Sequence, residues 1–166
     1  QEAIDQRKQF LIEHQIGVCD IVESAEREKL DASDLGMQNI KLRDVVGYLK
    51  QYPSIETILF TGGNSKNGPE YFFRKHLKDY NLKLDLVNNE VPRIHKFSLP
   101  VIASRAKQSY QPELSSKRTI KTVSLTSGSG AANISISRLP LYKQLKAKDP
   151  DFNTFDFRVM QYREYI

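Results

Sequence analysis

Apolar positions recur at helical spacing in some stretches and cluster or alternate in others, and these two periods divide the chain into elements. Residues 2–14 read as a helix with Ile4, Phe10 and Leu11 as its apolar contacts. Ile16 to Val22 is a short apolar run suited to a buried strand. Asp20, with Glu23 three residues on, has the spacing of a capping box and predicts a helix to about Lys29. Residues 30–39 read as loop. Leu42, Val45, Val46 and Leu49 follow helical spacing, and Tyr52-Pro53 ends that helix. Ile55 to Thr61 is the next strand, closed by Gly62 and Gly63. Asn67-Gly68-Pro69 opens a helix over Tyr71 to Lys78, with proline near its first turn. Leu82 to Val87 is a weaker strand and Arg118 to Leu125 a stronger one. Ser, Gln and Pro around 104–116 predict a long loop before the latter. Thr126 to Gly130 is a small-residue turn, and Ala131 to about Lys148 is mainly helical with a break or restart at Pro140. In 152–166, Phe155, Val159 and Tyr162 fit a helix, while Phe155, Phe157 and Val159 alternate as in a strand.

Strands alternating with helices predict one α/β domain, a three-layer α/β/α sandwich with a mainly parallel central sheet. In that architecture ligands bind at the carboxyl ends of strands. Three such ends carry polar or small residues: Asp20, Thr61 to Asn64, and Thr126 to Gly130. The 166 residues suffice for one domain that buries roughly 70% of its unfolded surface. No apolar run approaches the roughly 18 residues of a membrane span. A single cysteine, Cys19, excludes a disulfide framework and a multi-cysteine metal site within this sequence. The first residue is Gln, so the sequence is expected to be a fragment, a processed product or a trimmed chain.

The net charge of +5 is only a weak hint of an anionic partner, but its distribution is uneven. Residues 91–121 hold seven of the 25 basic side chains and one of the 20 acids, Glu113, which makes that stretch +6 and the remainder −1. It reads either as a solvated loop or as a surface that contacts phosphates. Gly63 and Gly68 have the glycine spacing of a phosphate loop, but Pro69-Glu70 stands where Lys-Ser/Thr is required, which argues against a Walker-type NTPase. The loop is a plain turn or a backbone wall close to a ligand. Ser127 to Gly130 is a mere connection or, at a helix N-terminus, a phosphate or nucleobase contact. Asp20 is a helix cap or a carboxylate that reads a base edge or organises water. His14, His76 and His95 lack metal-ligand spacing and read as surface residues; His95 alone opens the basic stretch. No G-x-S-x-G elbow occurs, and no metal or cofactor is expected.

In their order, these strand ends resemble the motifs of the uracil-DNA glycosylase superfamily, most closely its mismatch-specific and deoxyinosine branches. Gly17 to Val22, followed by Glu26-Arg27-Glu28, is similar to the second motif, a strand ending beside the flipped base. Ile58 to Gly62 is similar to the apolar strand and glycine turn before the next helix. Ser127 to Ala132 is similar to the Asn-Pro-Ser-Gly-Leu-Ser loop that enters the minor groove. The resemblance spans residues 10–145. Two departures stand out. Gly128 replaces the usual proline, which implies a softer wedge. The first motif, a Gly-x-x-Pro loop carrying the water-activating residue, is not matched in residues 1–16, so an N-terminal strand is expected to be missing from this stretch of sequence.

The resemblance implies a monofunctional hydrolase that cleaves the N-glycosidic bond of a deaminated base (uracil, hypoxanthine or mismatched thymine) in DNA. Such an enzyme must extrude the base and stabilise charge as it departs. Asp20, Thr61, Gly62 and Asn64 would then shape the base pocket. Arg93, His95, Lys96, Arg118, Ser127, Gly128, Ser129, Gly130 and Asn133 would contact DNA, and no catalytic residue is assigned. The alternative is a nucleic-acid or nucleotide-binding module of the same fold without catalysis. DNA is the expected partner of a cytoplasmic monomer with no membrane association. Charge reversal at Arg93, Lys96 and Arg118 together is expected to weaken DNA binding irrespective of sequence.

Overall fold

A computed structural model describes residues 1–27, 36–63, 65–100 and 116–166. Helix α1 (Glu2–Glu13) forms as its spacing predicts but buries none of its residues. The Ile16–Val22 run does not become a buried strand: Val18 is 75% exposed and the first strand, β1, spans Val22–Arg27. The helix expected from Asp20 is likewise absent. The Asp20 carboxylate accepts the Val22 N–H at 3.1 Å, two residues on, which is an Asx turn into a strand rather than a helix cap. Glu23 reaches across to Lys41 at 2.8 Å instead of back to Asp20. That partner lies on β2 (Met37–Leu42), antiparallel to β1 in a separate two-stranded sheet. Of the loop expected over 30–39, residues 30–35 lie outside the described residues and residues 37–39 belong to β2.

Helix α2 (Val45–Gln51) starts where Asp44 accepts the Gly47 N–H at 2.8 Å and turns Val46 and Leu49 inward. Strand β3 (Thr57–Phe60), helix α3 (Pro69–Lys78), and strands β4 (Asp85–Asn88), β5 (Arg93–Pro100) and β6 (Lys117–Ser124) follow. They form a four-stranded sheet in the order β3-β6-β5-β4.

Only β3 and β6 run parallel; β5 is antiparallel to both β6 and β4. The expectation of a mainly parallel sheet is thereby overturned. Residues 89–92 alone join β4 to β5, far too few for a parallel crossover, so the chain must turn back on itself. No strand was expected between Val87 and Arg118, whereas Arg93–Pro100 alternates outward and inward as a strand; the loop expected around 104–116 lies, up to residue 115, outside the described residues.

On one face of the sheet Phe97, Leu99 and Ile120 pack with Phe60, Val46, Leu49, Phe73 and Leu77 in one buried cluster. The register places Arg93, His95, Phe97 and Leu99 on this face, opposite Ser124, Thr122, Ile120 and Arg118. Lys96 and Lys121 fall on the other face, where the Lys121 ammonium sits 4.9 Å from the centre of the Tyr165 ring. Helices α4 (Gly130–Arg138) and α5 (Pro140–Lys148) break at Pro140 as expected. The ambiguous tail is a helix, α6 (Thr154–Arg163). A reciprocal cap decides it: Asn153 accepts from the Phe155 and Asp156 N–H groups, and Asp156 accepts from the Asn153 N–H. Among the described residues no helix is long and apolar enough to cross a membrane.

Candidate functional site

The parallel pair aligns Phe60 with Ser124, so the chain leaves β3 and β6 side by side. The Leu125 N–H donates to the Phe60 carbonyl at 2.9 Å and extends the pairing by one residue. Gly62 then lies against both Pro69 and the second loop: a methyl there would sit 3.2 Å from the Pro69 ring and 3.9 Å from the Ser127 side chain. Gly68 is required by close approach, because a Cβ would fall 2.7 Å from the Gly63 carbonyl oxygen. The loop thus folds onto its own ends and delivers the start of α3 beneath it. Thr61 is exposed beside Gly62, and Asn64 lies outside the described residues.

The second loop is anchored from α6. Thr126 donates its hydroxyl to Gln161 Oε1 at 2.8 Å, and the Tyr162 hydroxyl donates to the Thr126 carbonyl. Beyond that anchor, Ser127 and Ser129 hydroxyls are 2.9 Å apart, and Ser129 accepts the Ala132 N–H as the cap of α4. Asn133 accepts from Arg158 at 2.6 Å and so ties α4 to α6. Gly128 and Gly130 differ from Gly62 and Gly68. Among the described residues an added Cβ at either meets nothing within 4 Å, and neither has a positive φ. Nothing in the packing of the described residues calls for glycine there.

Under the two loops lies a group of charges that sequence reasoning only half identified. Glu70, fully buried on α3, accepts from Arg74 Nε at 2.9 Å, Arg93 Nη2 at 2.9 Å and the Ser124 hydroxyl at 2.6 Å. Burial alone would push its carboxyl up; Ser124, Arg74 and Arg93 outweigh that and hold it below the usual carboxylate range. His95 is also buried rather than on the surface. Its Nε2 lies 2.8 Å from Arg74 Nη2, and a guanidinium can only donate, so Nε2 accepts and the neutral ring carries its proton on Nδ1. That Nδ1 and the hydroxyl of its register partner Thr122 are both buried, with no hydrogen-bond partner among the described residues. Burial pushes His95 down from the ordinary value of 6.5, and Arg74 adds to the effect.

Both shifts have the same consequence for stability. The folded state binds protons less readily than the unfolded chain at Glu70 and at His95, so each contributes stability that is complete above its unfolded value and lost as pH falls through the folded one. The melting temperature should therefore begin to fall below about pH 6.5, through His95, and fall further below about pH 4.5, through Glu70. Thermal melts from pH 8 to pH 3 measure this. In a His95→Leu variant the first decline should be reduced; an unchanged profile would remove His95 from the account.

The remaining sequence candidates disperse. Arg118 donates to the Leu49 and Pro53 carbonyls, capping the end of α2 at the amino end of β6, the end of the strand away from Ser127. Lys96 is exposed on the opposite face of the sheet from Arg93. The +6 stretch therefore makes no single surface among the described residues, and Arg105 and Lys107 fall outside them. Reversing the charge of Arg93, Lys96 and Arg118 together would break two internal anchors and is no clean test of phosphate contact.

Asp20 is exposed, and its carbonyl accepts from Arg43 Nε at 3.0 Å. The next residue, Asp44, accepts from the Tyr80 hydroxyl at 2.6 Å, and the Val46 N–H donates to His76 Nε2 at 3.3 Å. These contacts group Asp20 with the carboxyl-terminal half of α3, whereas Thr61, Gly62 and Ser127 meet at its amino-terminal end. A cavity of about 630 Å³ lined by Asp44, His76, Asp79 and Tyr80 lies with Asp20's end and not with the loops. Among the described residues no group of three or more His, Cys, Asp or Glu is placed to hold a metal ion.

Comparisons with protein-family models, with curated proteins and with solved structures find no match to this chain.

Proposed function

We propose that the protein binds DNA at the joined ends of β3 and β6 and belongs to the uracil-DNA glycosylase type, hydrolysing the N-glycosidic bond of a deaminated base. The observation that carries this reading is the meeting of Gly62 and Ser127, 65 positions apart, in two adjoining loops. Gly128 and Gly130 support it. Among the described residues nothing packs against either glycine, which leaves room there for a partner's surface. In this reading Thr61 and Gly62 border the extruded base, and Ser127 to Gly130 press against the duplex, held from behind by Gln161 and Tyr162.

The second reading, binding without hydrolysis, is favoured by the position of Asp20 and by the engagement of Glu70. The Glu70 carboxylate accepts from two arginines and a serine, which leaves it no role as a base. One experiment separates the two. The protein is incubated with duplexes containing uracil, hypoxanthine or mismatched thymine, and both retention and base release are measured. Release supports the hydrolase, and retention without release supports the binding module. Neither, at low salt where phosphate contacts are strongest, would reject both.

A further inference from the structure

We propose that Arg93, backed by Arg74 and Glu70, forms a phosphate-binding site beneath the loop that joins β3 to α3. The proposal deepens the reading of this end as a nucleotide site and rests on it.

The buried group holds one carboxylate and two guanidiniums, since arginine does not lose its proton in proteins. His95 cannot supply a compensating negative charge, and its proximity to Arg74 disfavours a further positive one. The group thus carries a net single positive charge in surroundings that water reaches only partly. The Arg74 and Arg93 side chains are 32% and 29% exposed, while Glu70 is closed off entirely. A partly desolvated charge attracts a counter-ion more strongly than a surface lysine does.

The geometry points the excess charge toward the loops. Arg93 opens β5 opposite Ser124, the last residue of β6, and is therefore at the end of the sheet where β3 and β6 release their loops. Among the described residues it is engaged through Nη2 alone, which leaves Nη1 and Nε as donors in the planar fork that suits phosphate oxygens. Glu70 fixes the orientation of that fork in advance. Gly63 passes directly over it: a Cβ there would lie 3.5 Å from Arg93 Nη2. Lys66 is exposed on the same loop. No described carboxylate other than Glu70 pairs with Arg93.

The phosphate could be that of a DNA backbone or of a free nucleotide, and the test separates these sources. Inorganic phosphate, deoxyuridine monophosphate and a short duplex are titrated into the full chain and into three variants. Arg93→Met should weaken binding of all three about tenfold, the value of a charge-assisted hydrogen bond, and lower the salt slope of duplex binding by about one. Glu70→Gln removes the one negative charge and should tighten phosphate binding about threefold. Lys148→Met, at the exposed end of α5, should change nothing.

The opposite signs keep the proposal falsifiable, since damage to the fold can only weaken binding; circular dichroism confirms which variants are folded. If Arg93→Met does not fold, the Glu70→Gln result decides alone. A folded Glu70→Gln protein with unchanged or weaker phosphate affinity overturns the site. So does duplex binding insensitive to Arg93→Met, which would leave the DNA reading intact. Arg93-dependent binding of phosphate and mononucleotide without any duplex binding would keep the site and overturn the DNA reading.

Discussion

The Glu70→Ala variant should lose about 3 kcal/mol of unfolding free energy in urea denaturation. The carboxylate is the common acceptor of Arg74, Arg93 and Ser124, so its removal strands three donors at once. Taking one partner from a buried ion pair costs about 3–5 kcal/mol because the other charge is left desolvated. The lower end applies here, since both guanidiniums are about a third exposed and water partly replaces the lost acceptor. Glu70→Gln keeps the shape and one acceptor oxygen and should lose less. The loss should also shrink on acidification, because the wild-type carboxylate is itself protonated at low pH. A loss below about 1 kcal/mol at neutral pH would show that the charge group stabilises little and is present for another reason.

A larger effect is expected in the core. Phe73 is fully buried on α3 between Phe60 of β3, 5.3 Å away by ring centres, and Phe97 of β5, 5.6 Å away. Phe73→Ala removes the ring from both contacts and opens a cavity between helix and sheet, at a cost of about 4 kcal/mol. The slope of the urea transition should be unchanged, since the same surface unfolds. Phe73→Leu should cost only about 1 kcal/mol by refilling most of the volume. Because β3, β5 and α3 all present charged or loop residues to the candidate site, a destabilised Phe73 variant should also bind its ligand less well in proportion to the unfolded fraction. A cost near 1 kcal/mol for alanine would mean that the neighbouring side chains collapse into the gap.

Several elements were legible because local chemistry dictates them. Val46 and Leu49 face inward at helical spacing, Pro69 opens α3, Pro140 restarts the helix at α5, and Phe60 closes a strand before two glycines. The reciprocal cap at Asn153 was also written in the sequence, although periodicity alone left that tail undecided. The errors came where the same residues serve two purposes. Asp20 and Glu23 have capping spacing, but an aspartate can receive an N–H two or three residues on, and the strand partner that chose between these was Lys41. The basic residues of β5 read as a solvated loop or a phosphate-contacting surface, yet Arg93 and His95 share the inward face with Phe97 and Leu99.

The candidate site divides in the same way. The two loop ends, Thr61-Gly62 and Ser127 to Gly130, could be found from small residues at strand termini. Gln161 and Tyr162, which anchor the second loop, Arg158, which ties α4 to α6, and Glu70, which holds Arg93, carried no local signal because their partners are distant in the chain.

By itself, then, the sequence determined the helices marked by apolar spacing and prolines, the apolar strands that end at Phe60 and Ser124, and the excess of positive charge between residues 91 and 121, since each depends on neighbours within a few positions. Only the tertiary structure decided strand direction, which follows from the short link between β4 and β5, and the fate of each basic residue. Arg93 turns inward to Glu70, Arg118 to the end of α2, and Lys96 to the far face, because burial and partner, not proximity in sequence, set where a charge can rest.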